Sequence, residues 1–189
     1  GSGKTLAYVL PLLQQLKQQE LFTGYERRSK RPRVLILAPT RELALQITSV
    51  CKSLSHSAKI SIQGLVGGVG KGVQRKQLAN RPVDVVIATP GRLLQDWKEG
   101  FLFLGQVQTV VVDEMDTMLE QGFQRDLLEL LYPLLYTASP AEIDAIAAAQ
   151  NNYNKHTMTL PLKESAPQII MTSATNTQSI QKLNGDNPK

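Results

Sequence analysis

The sequence predicts an α/β fold, a mostly parallel β-sheet with helices on both faces, and three observations carry that expectation. Short apolar runs rich in β-branched residues, as at 34–38, 83–88 and 110–112, alternate with longer segments of helical period. The runs are apolar at every position rather than at every second one, as in strands covered on both sides. Each run stops abruptly in a polar or glycine-rich motif, and open α/β sheets gather ligands at the carboxyl ends of their strands.

Taken in order, the chain opens on Gly1-Ser2-Gly3-Lys4-Thr5, the second half of the phosphate-loop pattern G-x-x-x-x-G-K-[ST]. Glycines let backbone N–H groups turn toward phosphate oxygens, Lys4 supplies a point charge, and Thr5 offers a hydroxyl to Mg²⁺. A Gly-Ser linker before an ordinary helix is the other reading of these residues. The helix that follows takes Leu6, Val9, Leu10, Leu13 and Leu16 as its apolar face and Pro11 as a bend. Residues 21–33 crowd Arg27, Arg28, Lys30, Arg31 and Arg33 together and read as a solvated basic loop without an assigned role.

The strand at 34–38 is closed by Pro39-Thr40-Arg41-Glu42-Leu43-Ala44, with Thr40 as cap and Leu43, Ile47, Val50 and Leu54 as the next apolar face. A strand at 60–66 ends in Gly67-Gly68, whose bare backbone serves either a close phosphate or a turn of positive φ. A short helix at 74–79 leads to the strand at 83–88, which ends in Thr89-Pro90-Gly91-Arg92. Thr89 can exchange a hydrogen bond with a phosphate. Arg92, in the first turn of a helix, opposes the helix dipole, which a bound anion or plain solvation would offset. Trp97 on that helix reads as a packing residue.

The acidic stretch is the sharpest signal. Val110-Val111-Val112 runs straight into Asp113-Glu114-Met115-Asp116, and carboxylates at a buried strand end are costly unless something compensates them; a hydrated metal ion would. An amphipathic helix with Phe123, Leu127, Leu130 and Leu131 comes next. Residues 137–165 break the alternation, although Ser139-Pro140-Ala141-Glu142 forms a capping box for an Ala-rich helix, followed by a polar linker at 151–156. His56 and His156 read as surface residues. The last strand, 168–171, precedes Thr172-Ser173-Ala174-Thr175; Thr177 caps a short helix, and 184–189 is a disordered tail or the start of a linker.

With 189 residues and 42% hydrophobic content the chain can bury one core, so a single domain over 1–183 is expected. A net charge of +5 permits a polyanionic partner without requiring one. The lone Cys51 excludes an internal disulfide and a multi-cysteine metal site; it fits a reducing, intracellular compartment and reads as a small buried helix residue. No run is long enough to span a membrane, so no membrane partner is expected. A chain that opens on Gly1 inside a motif is expected to be a fragment of a longer protein.

The series GSGKT, PTRELA, GG, TPGR, DEMD and SAT, in that order, resembles the first RecA-like, P-loop domain of the DEAD-box RNA helicases, and the resemblance covers residues 1–183. It implies ATP and Mg²⁺ as cofactors. Gly1, Ser2, Gly3, Lys4 and Thr5 would hold the nucleotide together with Asp113 and Glu114, and Thr5 and Asp113 would hold the ion. Glu114 would orient and deprotonate the attacking water, completing a catalytic set with Lys4 and Asp113. Pro39, Thr40, Arg41, Gly68, Thr89, Gly91 and Arg92 would grip the RNA sugar-phosphate backbone, which positions RNA without reading its sequence. Asp116, Ser173 and Thr175 would couple the nucleotide state to closure against a second RecA-like domain of the same parent chain.

The departures from the family pattern are specific. Met115 stands where the family usually has Ala, although all three carboxylates remain. The segment between Asp113 and Ser173 is longer than usual; the excess, 137–165, reads as an insertion, either a contact for a protein partner or inert. The first half of the phosphate loop, the upstream adenine-recognising glutamine motif and the second domain with its arginine fingers do not stand in these residues. An arginine finger is worth roughly 10³ to 10⁵ in rate, so residues 1–189 by themselves are expected to be nearly inactive and monomeric, within a parent that is an RNA-dependent ATPase. The alternative is an RNA-binding or assembly scaffold with weak or no hydrolysis. A DNA-translocating relative shares the phosphate loop and acidic strand but not PTRELA together with TPGR.

Overall fold

An apolar run with no polar member cannot leave one face in water, and a sheet of such runs must be covered on both sides. The computed structural model, which describes residues 3–68, 70–136 and 163–174, has that arrangement. Strands β1 (Val34–Leu37), β2 (Ile62–Leu65), β3 (Val85–Ala88), β4 (Thr109–Val112) and β5 (Gln168–Met171) form one sheet in the order β2-β3-β1-β4-β5, with every pairing parallel. Six helices accompany them among the described residues: α1 (Lys4–Thr23), α2 (Arg41–Ala58), α3 (Lys71–Asn80), α4 (Pro90–Lys98), α5 (Met115–Glu120) and α6 (Gln124–Leu135).

Because side chains alternate along a strand, each central strand feeds two cores. Val34, Ile36, Val85, Ile87 and Val111 pack with Tyr8, Val9, Leu12, Leu13 and Leu16 of α1 and Ala44, Ile47 and Cys51 of α2. Leu35, Leu37, Val86, Val110 and Val112 pack on the other face with Leu78, Leu93, Met118, Leu127 and Leu130 of α3 to α6. Truncating any one of these large side chains to Ala should cost about 2–5 kcal/mol. Cys51 is buried as expected, and burial pushes its thiol up to about 12. Trp97 packs against the second core, and among the described residues no helix is long and apolar enough to cross a membrane.

Register is what positions the site. Leu65, Ala88, Leu37, Val112 and Met171 pair side by side, so the last residues of all five strands form one row across the sheet. The ladder continues one step further, with Ala38 N donating to Ala88 O at 3.0 Å, Asp113 N to Leu37 O at 2.9 Å and Thr172 N to Val112 O at 2.9 Å. Every motif that closes a strand therefore emerges from the same edge.

Three sequence expectations need correction. The buried face of α1 is Tyr8, Val9, Leu12, Leu13 and Leu16, while Leu6 and Leu10 are exposed, and the helix runs through Pro11. The face of α2 is likewise rotated toward Ala44, Ile47 and Cys51, leaving Leu43 and Leu54 only partly buried. The expected single helix after the acidic strand is two, α5 and α6, parted where Gly122 takes a φ of 82°.

The basic loop is also more than solvated charge. Arg33, at 0% exposure, donates from Nη2 to Asp84 Oδ1 at 2.7 Å and to Glu20 Oε1 at 3.2 Å. Its Nη1 reaches the Leu16 carbonyl at 3.3 Å, and the guanidinium lies 4.5 Å from the centre of the Tyr25 ring. Asp84 also accepts from the Ser61 amide at 2.8 Å and from Arg27 at 3.4 Å. This cluster closes the amino-terminal edge of the sheet, since Arg33 and Asp84 immediately precede β1 and β3. The expectations for residues 137–162 and 175–189, including the capping box, His156 and Thr177, lie outside the described residues.

Candidate functional site

At the carboxyl edge the sequence places a helix start whose first amides have no partner within the helix. Gly3 begins α1 in the left-handed region, φ 74°, with no side-chain cap and no acidic residue in the first turn. Helix amino ends carry unpaired N–H groups and about half a positive charge, so an uncapped, acid-free one is a ready anion site. Lys4 and Thr5 open this helix and are half-buried; Gly1 and Ser2 lie outside the described residues. By contrast, α2 is capped by the Thr40 hydroxyl, which accepts from the Leu43 amide at 3.2 Å, and carries Glu42 in its first turn.

Asp113, 3% exposed, stands directly beyond β4. Its Oδ2 accepts from the Tyr8 hydroxyl at 2.8 Å, and its Oδ1 accepts from the Glu114 amide at 3.0 Å and from the Thr172 hydroxyl. No Lys, Arg or His among the described residues pairs with it. Tyr8 lies one turn beyond Thr5 on α1, so the helix that opens on the loop motif also carries a hydroxyl donor to the aspartate of the acidic motif. Burial first, and the Asp113 charge second, raise that phenol far above its ordinary range, which keeps it a proton donor.

Glu114 is half-buried and sits in the left-handed region at φ 51°, ψ 54°, a conformation a non-glycine residue holds only at a cost. Asp116 is buried in the first turn of α5 and accepts from the Ala174 amide at 3.2 Å, which ties the acidic motif to the segment containing Ser173. Met115 is buried in the core, and its amide donates to the Thr172 carbonyl at 2.9 Å. Its larger side chain is thus absorbed by packing and leaves the carboxylates in place. Thr175 lies outside the described residues.

The remaining predicted residues line the same edge. Arg41 is exposed and lies over Gly68: a Cβ on Gly68, at φ +76°, would stand 2.1 Å from Arg41 Nη1. Pro39 is buried behind them. Thr89 precedes α4 without using its hydroxyl as a cap, and Gly91 is exposed, with the Asp126 carboxylate 3.2 Å from where its Cβ would be. Arg92 already has an anion: its Nε donates to Asp96 Oδ2 at 2.8 Å, and Asp96 is held in turn by Arg75 at 2.9 Å. Arg92 is only 7% exposed, and its Nη2 has no hydrogen-bond partner among the described residues. A bound anion is therefore not needed to account for its place in the first turn.

The donor set fits Mg²⁺ delivered with a nucleotide. Among the described residues no group of three or more His, Cys, Asp and Glu side chains could cage a metal alone. Mg²⁺ ordinarily takes one or two carboxylates plus phosphate and water oxygens, which Asp113, Thr5 and an anion at the start of α1 would supply. Tyr8 and Thr172 were not singled out by sequence reasoning. A hydroxyl one turn beyond Lys4-Thr5, and another just beyond the last strand, were the available signals.

Residues 1–183 match the family model described as DEAD/DEAH box helicase. The chain is 36% identical over 184 residues to the DEAD-box ATP-dependent RNA helicase 39 of Arabidopsis thaliana, covering 97% of this chain and 26% of that protein. It is 45% identical over 135 residues to the chloroplastic DEAD-box ATP-dependent RNA helicase 3A of Zea mays, covering 71% of this chain and 17% of that protein. Among solved structures, the yeast DEAD-box splicing factor Prp28 superposes over 100% of this chain and 38% of its own, with a TM-score of 0.70 at 27% identity. A DEAD box protein from Methanococcus jannaschii gives 0.67 at 29% identity, covering 98% of this chain and 40% of its own. The chain thus spans about a quarter or less of these curated relatives.

Proposed function

This chain belongs to the DEAD/DEAH box helicase family, and on that premise we propose that it is the ATP-binding core of an RNA-dependent ATPase that clamps and unwinds short RNA duplexes. The observation that carries the proposal is the buried carboxylate of Asp113, which among the described residues has neutral donors only and is held by Tyr8 of the helix that starts, uncapped, at Lys4 and Thr5. Buried charges are normally paired, so an aspartate left with neutral partners is completed by a cation from outside the chain.

Lys4 and the first amides of α1 hold the β and γ phosphates, and Thr5 and Asp113 hold the ion. Mg²⁺, when bound, neutralises charge developing on the phosphate oxygens. Glu114 orients water for in-line attack and accepts its proton; its backbone strain is consistent with a side chain aimed by function rather than by packing. Asp116 and Ser173, with Thr175, carry the nucleotide state to a second RecA-like domain, which supplies the remaining charge stabilisation. Thr40, Arg41, Gly68, Thr89 and Gly91 contact RNA phosphates and sugars along the same edge, with Pro39 shaping the turn and Arg92 adding charge from beneath the surface. Residues 1–183 form one domain, with 137–165 an insertion available to a protein partner.

The test is ATP hydrolysis by the full-length protein, with and without single-stranded RNA, beside Glu114→Gln. RNA-stimulated turnover that falls by at least about 10²-fold in the variant is expected. RNA binding without Mg²⁺-dependent turnover would instead favour a scaffold.

A further inference from the structure

We propose that Tyr8 and Thr172 are positioning residues that fix the Asp113 carboxylate so that one acceptor position, on Oδ2, remains for the hydrated cation; this rests on the nucleotide-binding reading above. An ionised carboxylate offers about four lone-pair positions. Two on Oδ1 are taken by the Thr172 hydroxyl and the Glu114 amide, and one on Oδ2 by Tyr8. The three donors come from three separate places: α1, the residue after β5, and the start of α5. A carboxylate held from three directions cannot rotate about its terminal torsion without breaking a hydrogen bond to a charged group.

The arrangement also explains why each donor is a hydroxyl or an amide. A Lys or Arg in either position would neutralise Asp113 and compete with the cation, whereas a neutral donor orients the carboxylate and leaves its charge unspent. Tyr8 stands on the helix that Lys4 and Thr5 open, so the loop motif and a donor to the carboxylate share one rigid element. Thr172 serves two ends: its carbonyl accepts from the Met115 amide while its hydroxyl holds Asp113, so the end of β5 fixes the turn that presents Glu114. Partners of this kind, one step behind a metal ligand, change metal affinity or activity by roughly 10–100-fold when removed.

The experiment measures binding of a fluorescent mant-ADP to the full-length protein, in Mg²⁺ and in EDTA, for wild type, Tyr8→Phe, Thr172→Val and Thr172→Ser. Tyr8→Phe and Thr172→Val are expected to lose about 10-fold or more of the affinity gained from Mg²⁺, with EDTA affinity and Tm near wild type. Thr172→Ser, which keeps the hydroxyl, is expected to retain the gain. The inference is overturned if both variants keep the full Mg²⁺ gain, or if EDTA affinity and Tm fall in step with it, since that marks a purely structural role. A wild type that binds nucleotide with no gain from Mg²⁺ would remove the proposed function as well, which separates the two failures.

Discussion

The two edges of the sheet bury acidic residues in opposite ways. At the amino-terminal edge Asp84 meets Arg33 at 2.7 Å and Arg27 at 3.4 Å, and Arg33 also meets Glu20 at 3.2 Å. At the carboxyl-terminal edge Asp113 is as deeply placed, yet it meets two hydroxyls and an amide. A desolvated charge with its counter-charge beside it is a finished structural element; one with neutral donors alone is poised for a cation. The contrast separates framework from site more sharply than burial does, because both aspartates are nearly inaccessible.

Breaking the closed edge should have the largest effect on stability. Asp84→Ala leaves the Arg33 guanidinium buried without its main partner and is expected to cost about 3–5 kcal/mol in urea unfolding. Replacing both partners together, Arg33→Met with Asp84→Leu, should recover most of that loss, since a packed apolar pair is often as stable as a buried ion pair. The matching change at the open edge, Asp113→Asn, should alter stability by no more than about 1 kcal/mol while abolishing the Mg²⁺-dependent part of nucleotide binding. Equal losses of stability from Asp84→Ala and Asp113→Asn would erase the distinction.

A smaller effect is expected at the residues of the open edge proposed to contact RNA. Gly68→Ala puts a Cβ into the space of the Arg41 guanidinium and asks alanine to hold a φ of +76°. The backbone cost is about 1–2 kcal/mol. Arg41 can swing away, so the sharper consequence falls on binding: with one RNA phosphate no longer neutralised, the salt slope for single-stranded RNA falls by about 0.7. Unchanged RNA affinity and slope in Gly68→Ala would remove Arg41 from the interface.

Much of this was legible because a parallel sheet writes itself plainly. Residues 34–38, 83–88 and 110–112 are apolar throughout, and the polar motif after each marks a strand end, so the shared edge follows from topology alone. What was not legible depended on distance or on rotation. Arg33 looks like four other basic residues in its segment, and only Asp84, 51 residues away, distinguishes it. Leu6 and Leu10 fit the apolar stripe of α1 as well as Tyr8 and Leu12 do, and periodicity cannot decide which side meets the sheet. The same rotation hid the Tyr8 hydroxyl, whose partner is 105 residues away. Asp96 was hidden as a partner of Arg92 because a helical i, i+4 acid is common and carries no sign that it is buried.

The smallest predicted effect compares backbone strain at the two edges. Lys59, which ends α2 ahead of β2, holds a φ of 55°, and Glu114, which begins α5 beyond β4, holds a φ of 51°. Glycine adopts this region without the Cβ clash, so Lys59→Gly and Glu114→Gly should each raise stability, by about 1 kcal/mol. Their consequences for turnover should diverge: Lys59→Gly leaves ATP hydrolysis by the full-length protein intact, and Glu114→Gly abolishes it. Such a divergence means that strain at Lys59 is incidental to a helix end, while strain at Glu114 is retained because no relaxed residue could replace its carboxylate. If Glu114→Gly instead destabilises the fold, its side chain is held by packing, and the open edge would owe its shape to structure rather than to chemistry.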